Sequence, residues 1–200
     1  MTIDSMLSLV VRILPGALVG GAVMVIAAWA GWRIGRGPHG WLVRATQFWL
    51  EHVVRPILAT RSWPQKAALI ALNNSIVCAA LVLLGALGPL AWLAVAGVGL
   101  ALGLALRLLI DLPETQAFES PKTPQRKLLM RIGLALNMLE PPAILLAAGL
   151  SLAQGAWRSD ILPGMGLAVF ARIILPLLVL AACGEALWLT ACQQSPTEPE

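Results

Sequence analysis

Two glutamates, Glu140 and Glu185, interrupt long apolar stretches of this sequence, and Asn73, Asn74, Asn137, Arg107 and Arg131 fall near them in expected depth. An ionisable side chain in hydrocarbon costs on the order of 3 kcal/mol on insertion scales, so it should face protein or a water cavity. Such a group holds a proton, an ion or a polar substrate, or it ties helices together through hydrogen bonds. Two bare carboxylates cannot both ionise in a low-dielectric site. Glu140 and Glu185 are therefore expected either to share a proton or to engage Arg131 or Arg107.

No other constellation carries chemistry. His39 and His52 lack metal-ligand spacing, no serine has a His and an Asp in context, and no glycine-rich phosphate loop follows a strand. Cys78, Cys183 and Cys192 sit in apolar surroundings without paired spacing, which indicates neither a disulfide framework nor a zinc site. The expectation is a protein that is not an enzyme and uses no metal or cofactor.

The elements that must position these residues follow from composition. The 200 residues are 58% hydrophobic and only 12% charged, whereas soluble domains are about a quarter charged. The predicted fold class is all-α: one transmembrane helical domain over residues 1–192 and a polar tail, 193–200. Five spans are predicted over about 6–32, 67–87, 90–110, 128–154 and 162–192, each long enough for a bilayer. Pro15 is expected to bend the first, and Gly88-Pro89 separates the second from the third. The fourth contains Pro141-Pro142, and Pro176 should bend the fifth. The segment 33–66 carries Arg33, Arg36, Arg44, Arg55, Arg61 and Lys66 against Glu51, with Trp41, Phe48, Trp49, Val53 and Ile57 between them. It reads as a basic amphipathic helix at the membrane surface; the competing reading packs its apolar face on the spans. Net charge is +4, but the basic residues are dispersed between apolar segments. They imply lipid-headgroup contact and no nucleic-acid partner. The residues ahead of the first apolar run, MTIDSM, contain Asp4 and no Lys or Arg, which is not the start expected of a cleaved signal.

Connectivity brings the polar residues together. At 1.5 Å per residue, Glu140 and Glu185 lie roughly 18 and 10 Å from one and the same face. Asn73 and Asn74 enter from that face to roughly 10 Å, and Asn137 lies one helical turn from Glu140. Arg107 and Arg131 should snorkel there, while Arg172 belongs near the opposite face. Small residues form a packing stripe in the fourth span, Ala143, Ala147, Ser151 and Gly155. Weaker stripes are Gly16 and Gly20, Gly99 and Gly103, and Ala182, Ala186 and Thr190. Most tryptophans flank spans, as headgroup anchoring favours.

Three segments resemble stage II sporulation protein M-like membrane proteins: LNNSIVCAALVLLGALG from Leu72, LEPPAILLAAGLSLAQG from Leu139, and LLVLAACGEALW from Leu177. Their order and spacing agree with that family over about Leu72 to Trp188, and proline at position 141 replaces the family's leucine. The resemblance implies a five-span protein of the bacterial cytoplasmic (inner) membrane without enzymatic chemistry. It also implies a scaffold or assembly role toward protein partners or further copies of the chain. The alternative is a transport component using the carboxyl cluster.

Lys and Arg concentrate in the loops 33–66 and 111–127, which places those loops in the cytoplasm and the N-terminus outside. The resemblance implies the opposite orientation. A cysteine introduced at Thr123 should resist an impermeant thiol reagent in intact cells and react after lysis. Labelling in intact cells would reverse the orientation.

Overall fold

Within hydrocarbon a backbone satisfies its N–H and C=O groups only in helices or closed barrels, and the Leu-, Ala- and Val-rich runs take the first route. The computed structural model describes residues 3–36, 40–60, 62–110, 123–157 and 163–192, and every regular element among them is helical. In chain order these are α1 (Ile3–Ile34), α2 (Trp41–Trp49), α3 (Arg55–Ala59), α4 (Trp63–Gly85), α5 (Leu90–Ile110), α6 (Pro124–Asn137), α7 (Glu140–Leu152), α8 (Pro163–Val169) and α9 (Leu175–Cys192). Wider π-helical turns occupy Leu50–Val54, Ala153–Trp157 and Phe170–Ile174. Five helical stretches are long and apolar enough to cross a membrane: Ser8–Ile34, Trp63–Gly85, Leu90–Ile110, Pro124–Gly155 and Gly164–Cys192. The chain has the architecture of a multi-pass membrane protein. His39, Arg61, the loop 111–122, Arg158, Asp160 and the polar tail lie outside the described residues.

Prolines account for two of the three widened turns and for the break in the fourth span. A proline lacks the N–H its turn needs, and its ring presses on the carbonyl four residues back. Ahead of Pro56 and again ahead of Pro176 the helix answers with one widened turn. The Arg55 amide donates to the Leu50 carbonyl and the Leu175 amide to the Phe170 carbonyl, five residues back in both cases. Pro141-Pro142 removes two successive donors, and there the helix ends. α6 closes at Asn137, Met138 and Leu139 form a turn, and α7 restarts at Glu140 with the prolines in its first turn, where a missing N–H costs nothing. The continuous fourth span expected from the sequence is therefore two half-helices. α1, by contrast, runs unbroken past Pro15, which is exposed.

Small residues set the packing where helix backbones meet. α1 and α5 run parallel with residue n of α1 facing n+75 of α5, as in Met24 with Gly99 and Ala28 with Gly103. A methyl group on Gly99 would come within 2.5 Å of the Met24 carbonyl oxygen, and one on Gly103 would overlap the Ala28 carbonyl. On its other side α1 meets α7 antiparallel, Gly16 against Gly149 and Gly21 against Leu145. α9 pairs with α6 through Gly184 and Gly133, and with α4. Ala143, Ala147 and Ser151 of the predicted stripe are fully buried, and Gly155 abuts Gly85 and Gly88. The α4–α5 hairpin turns at Gly88, whose φ of 66° suits glycine alone.

The segment between the first two spans helps cap one end of this bundle. Ile57 and Leu58 of α3 form a core with Ala67 and Ile70 of α4 and Ala182, Ala186 and Leu189 of α9, and α2 contacts α5. Trp41, Arg44, Phe48, His52 and Arg55 face away, with Phe48 and His52 stacked at 4.0 Å. Lys66, read from the sequence as part of the basic surface, is fully buried in the first turn of α4.

Gly103→Ala should destabilise the protein by ~1–3 kcal/mol through overpacking. Gly97→Ala, on a face of α5 with open space around the glycine, should stay within ~0.5 kcal/mol. Reversible unfolding in mixed micelles measures both.

Candidate functional site

The break between α6 and α7 places Glu140 at the first position of a half-helix, within a membrane-spanning stretch. α4 runs parallel to α7 with residue n facing n+66, which sets Gly85 against Ser151 at one end and Asn74 against Glu140 at the other. There the Asn74 Nδ2 donates to Glu140 Oε1 at 3.0 Å, and the Asn73 Nδ2 donates to Asn74 Oδ1 at 3.2 Å. The two asparagines and the glutamate thus form a short chain that joins two spans.

The third wall is α9. Gly184 lies so close to α6 that a methyl group there would fall 2.5 Å from Leu136 Cβ and 2.7 Å from the Asn137 nitrogen. That approach brings the next residue, Glu185, within electrostatic range of Glu140. Cys78, one turn beyond Asn74 on α4, lies within the same range. Asn137 itself ends α6, and its Oδ1 is buried without a hydrogen-bond partner among the described residues.

Of the seven polar residues the sequence gathered, Asn73, Asn74 and Glu140 are joined by hydrogen bonds, Glu185 follows Gly184 where α9 approaches the end of α6, and Asn137 ends α6 across the helix break from Glu140. The two arginines stand apart. Arg107 lies over the Trp32 ring of α1 at 5.8 Å, and Arg131 is exposed on α6. Neither carboxylate has an ion pair among the described residues, so the expected arginine partnership is replaced by a carboxyl–amide contact and a neighbouring second carboxyl. Charge counting could not separate these outcomes, because snorkelling draws an arginine toward the aqueous face and away from a buried acid. No group of three or more His, Cys, Asp or Glu among the described residues is placed to hold a metal ion. The arrangement suits a shared proton or a cross-helix tie.

Sequence reasoning missed two features. Cys78, which the sequence shows only as a thiol in apolar surroundings, lies one helical turn from Asn74, and that i+4 spacing puts the two on the same face of α4. At the far end of the α4–α7 seam, Ser151 Oγ and both polar atoms of the Gln154 side chain are buried and unpartnered among the described residues. Gln154 is wedged between Gly85 and Gly166. Nothing in the local sequence distinguishes it from a glutamine at a span end.

Comparison with protein-family models, with curated proteins and with solved structures returned no match for this chain.

Interhelical hydrogen bonds in membrane proteins average about 0.6 kcal/mol and reach about 1.7. A double-mutant cycle on Asn74→Ala and Glu140→Ala, followed by reversible unfolding in mixed micelles, should return a coupling in that range. Glu140→Gln, which retains an acceptor oxygen, should cost less than Glu140→Ala. Strict additivity would mean that the Asn74–Glu140 contact contributes nothing.

Proposed function

We propose that this chain is a non-enzymatic scaffold or assembly subunit of a bacterial cytoplasmic membrane, similar in role to stage II sporulation protein M-like proteins. The observation that carries the reading is the helix between the first two spans. Its apolar side, Val43, Leu50, Ile57 and Leu58, is buried, so it holds a fixed position on the bundle. Its other side displays Trp41, Arg44, Phe48, His52 and Arg55. Exposed aromatic and arginine side chains on a rigid helix are the residue types that anchor protein interfaces. The same helix lies, in this reading, at the headgroup level of the membrane. Support also comes from the sequence, which lacks a catalytic constellation and resembles that family over about Leu72 to Trp188.

A second reading is a transport component, and the proximity of Glu140 to Glu185 at a broken helix favours it. Half-helices in the bilayer midplane recur at substrate and ion sites. One pair of experiments separates the two. A photo-crosslinking residue at Phe48 should give a discrete heterologous protein adduct in native membranes, while proton or ion flux in proteoliposomes is the same for the wild type and for Glu140→Gln/Glu185→Gln. No protein adduct, together with a flux that the double variant abolishes, would select transport.

A further inference from the structure

The ends of α1 and α5 carry a feature that neither reading uses. Because these helices are parallel, both C-termini emerge at one end of the bundle, and each has an arginine in its last turn, Arg33 and Arg107. Arg33 Cζ lies over the Trp29 ring at 5.4 Å, and Arg107 Cζ lies over the Trp32 ring at 5.8 Å. Trp29 and Trp32 are three residues apart, so the two rings are neighbours on one helix surface. The Trp32–Arg107 contact follows the same n+75 register as the glycine contacts below it. Gly35 allows it, since the Arg107 stem lies where a side chain at position 35 would go, 3.0 Å from Arg107 Cγ.

Charge and depth agree. Arg36 and Arg44 are exposed beyond this end, and Glu51 is the only acid in the sequence between Asp4 and Asp111. Two helix C-termini together amount to about one negative charge. Even with Asp111 counted as well, four arginines leave an excess of positive charge. The apolar stretches end at Ile34 and Ile110, within about five residues of both tryptophan–arginine pairs, and the end of a span is where indole and guanidinium groups favour the headgroups. Deeper along the same helices Val25, Ile26, Leu102 and Leu106 are exposed and apolar.

We infer that the α1–α5 end is a binding site for an anionic phospholipid. Its phosphate is held by Arg33 and Arg107, the tryptophan rings flank the glycerol region, and the acyl chains lie along the exposed apolar residues below. A guanidinium held over an indole has already lost side-chain freedom, which favours a fixed phosphate contact over a diffuse charged surface.

The test is native mass spectrometry of the detergent-purified chain titrated with phosphatidylglycerol, phosphatidylcholine or the soluble headgroup glycerol phosphate. The wild type should retain phosphatidylglycerol in preference to both others. Loss of a basic residue at an anionic surface lowers binding about fivefold, so Arg33→Gln/Arg107→Gln should lower phosphatidylglycerol affinity about 25-fold. Arg126→Gln/Lys127→Gln, which removes the same charge from the start of α6, should leave it within about twofold, because the charge lost there is not in the site. Size-exclusion elution and thermal midpoint establish that each variant is folded. Equal loss in the two double variants, equal retention of phosphatidylcholine, or binding of glycerol phosphate as tight as the lipid would overturn the site.

Discussion

The bundle depends on backbones being able to touch. Lipid tails are as apolar as leucine, so helices inside a bilayer gain little from hiding hydrophobic surface against each other and associate through close packing and polar contacts. Small residues lie where backbones meet: Gly99 and Gly103 of α5 against α1, Gly16 and Gly149 between α1 and α7, Gly133 and Gly184 between α6 and α9. The registers of the polar and aromatic contacts follow from these. Asn74 meets Glu140 because Gly85 meets Ser151, and Arg107 meets Trp32 because Gly103 meets Ala28.

Pro56, Pro141, Pro142 and Pro176 supply a second constraint. One missing N–H is absorbed by a widened turn ahead of Pro56 and Pro176, and the helix axis continues. Two in succession stop the helix and begin another, whose first residue is the glutamate. The position of Glu140 is thus a consequence of Pro141 and Pro142, and the amide of Asn74 reaches a carboxylate at the start of a half-helix. In a continuous helix the same carboxylate would sit on a full turn of hydrogen-bonded backbone, with Asn137 stacked below it.

The surface helix shows how an amphipathic pattern is resolved by docking. Its apolar residues seat on α4, α5 and α9, so the pattern that suggested lipid contact is met largely by protein. Periodicity identifies a face that must be covered and is silent on what covers it. Lys66 illustrates the same point from the charged side, since a basic residue in a basic segment lies wholly buried where α4 begins.

The sequence by itself determined the helical class, five apolar stretches of bilayer length and the α4–α5 hairpin at Gly88, and it offered Asn73, Asn74, Arg107, Arg131, Asn137, Glu140 and Glu185 as one group. Each of these depends on composition, length or connectivity, which are properties of the chain alone. Only the tertiary structure decided which of those polar groups touch, that Arg107 lies over Trp32, and that Gln154 is wedged unpartnered, among the described residues, between two glycines. Those outcomes depend on the relative rotation and register of helices far apart in sequence. The backbone contacts at glycines set both, and a 3.6-residue period carries no record of them.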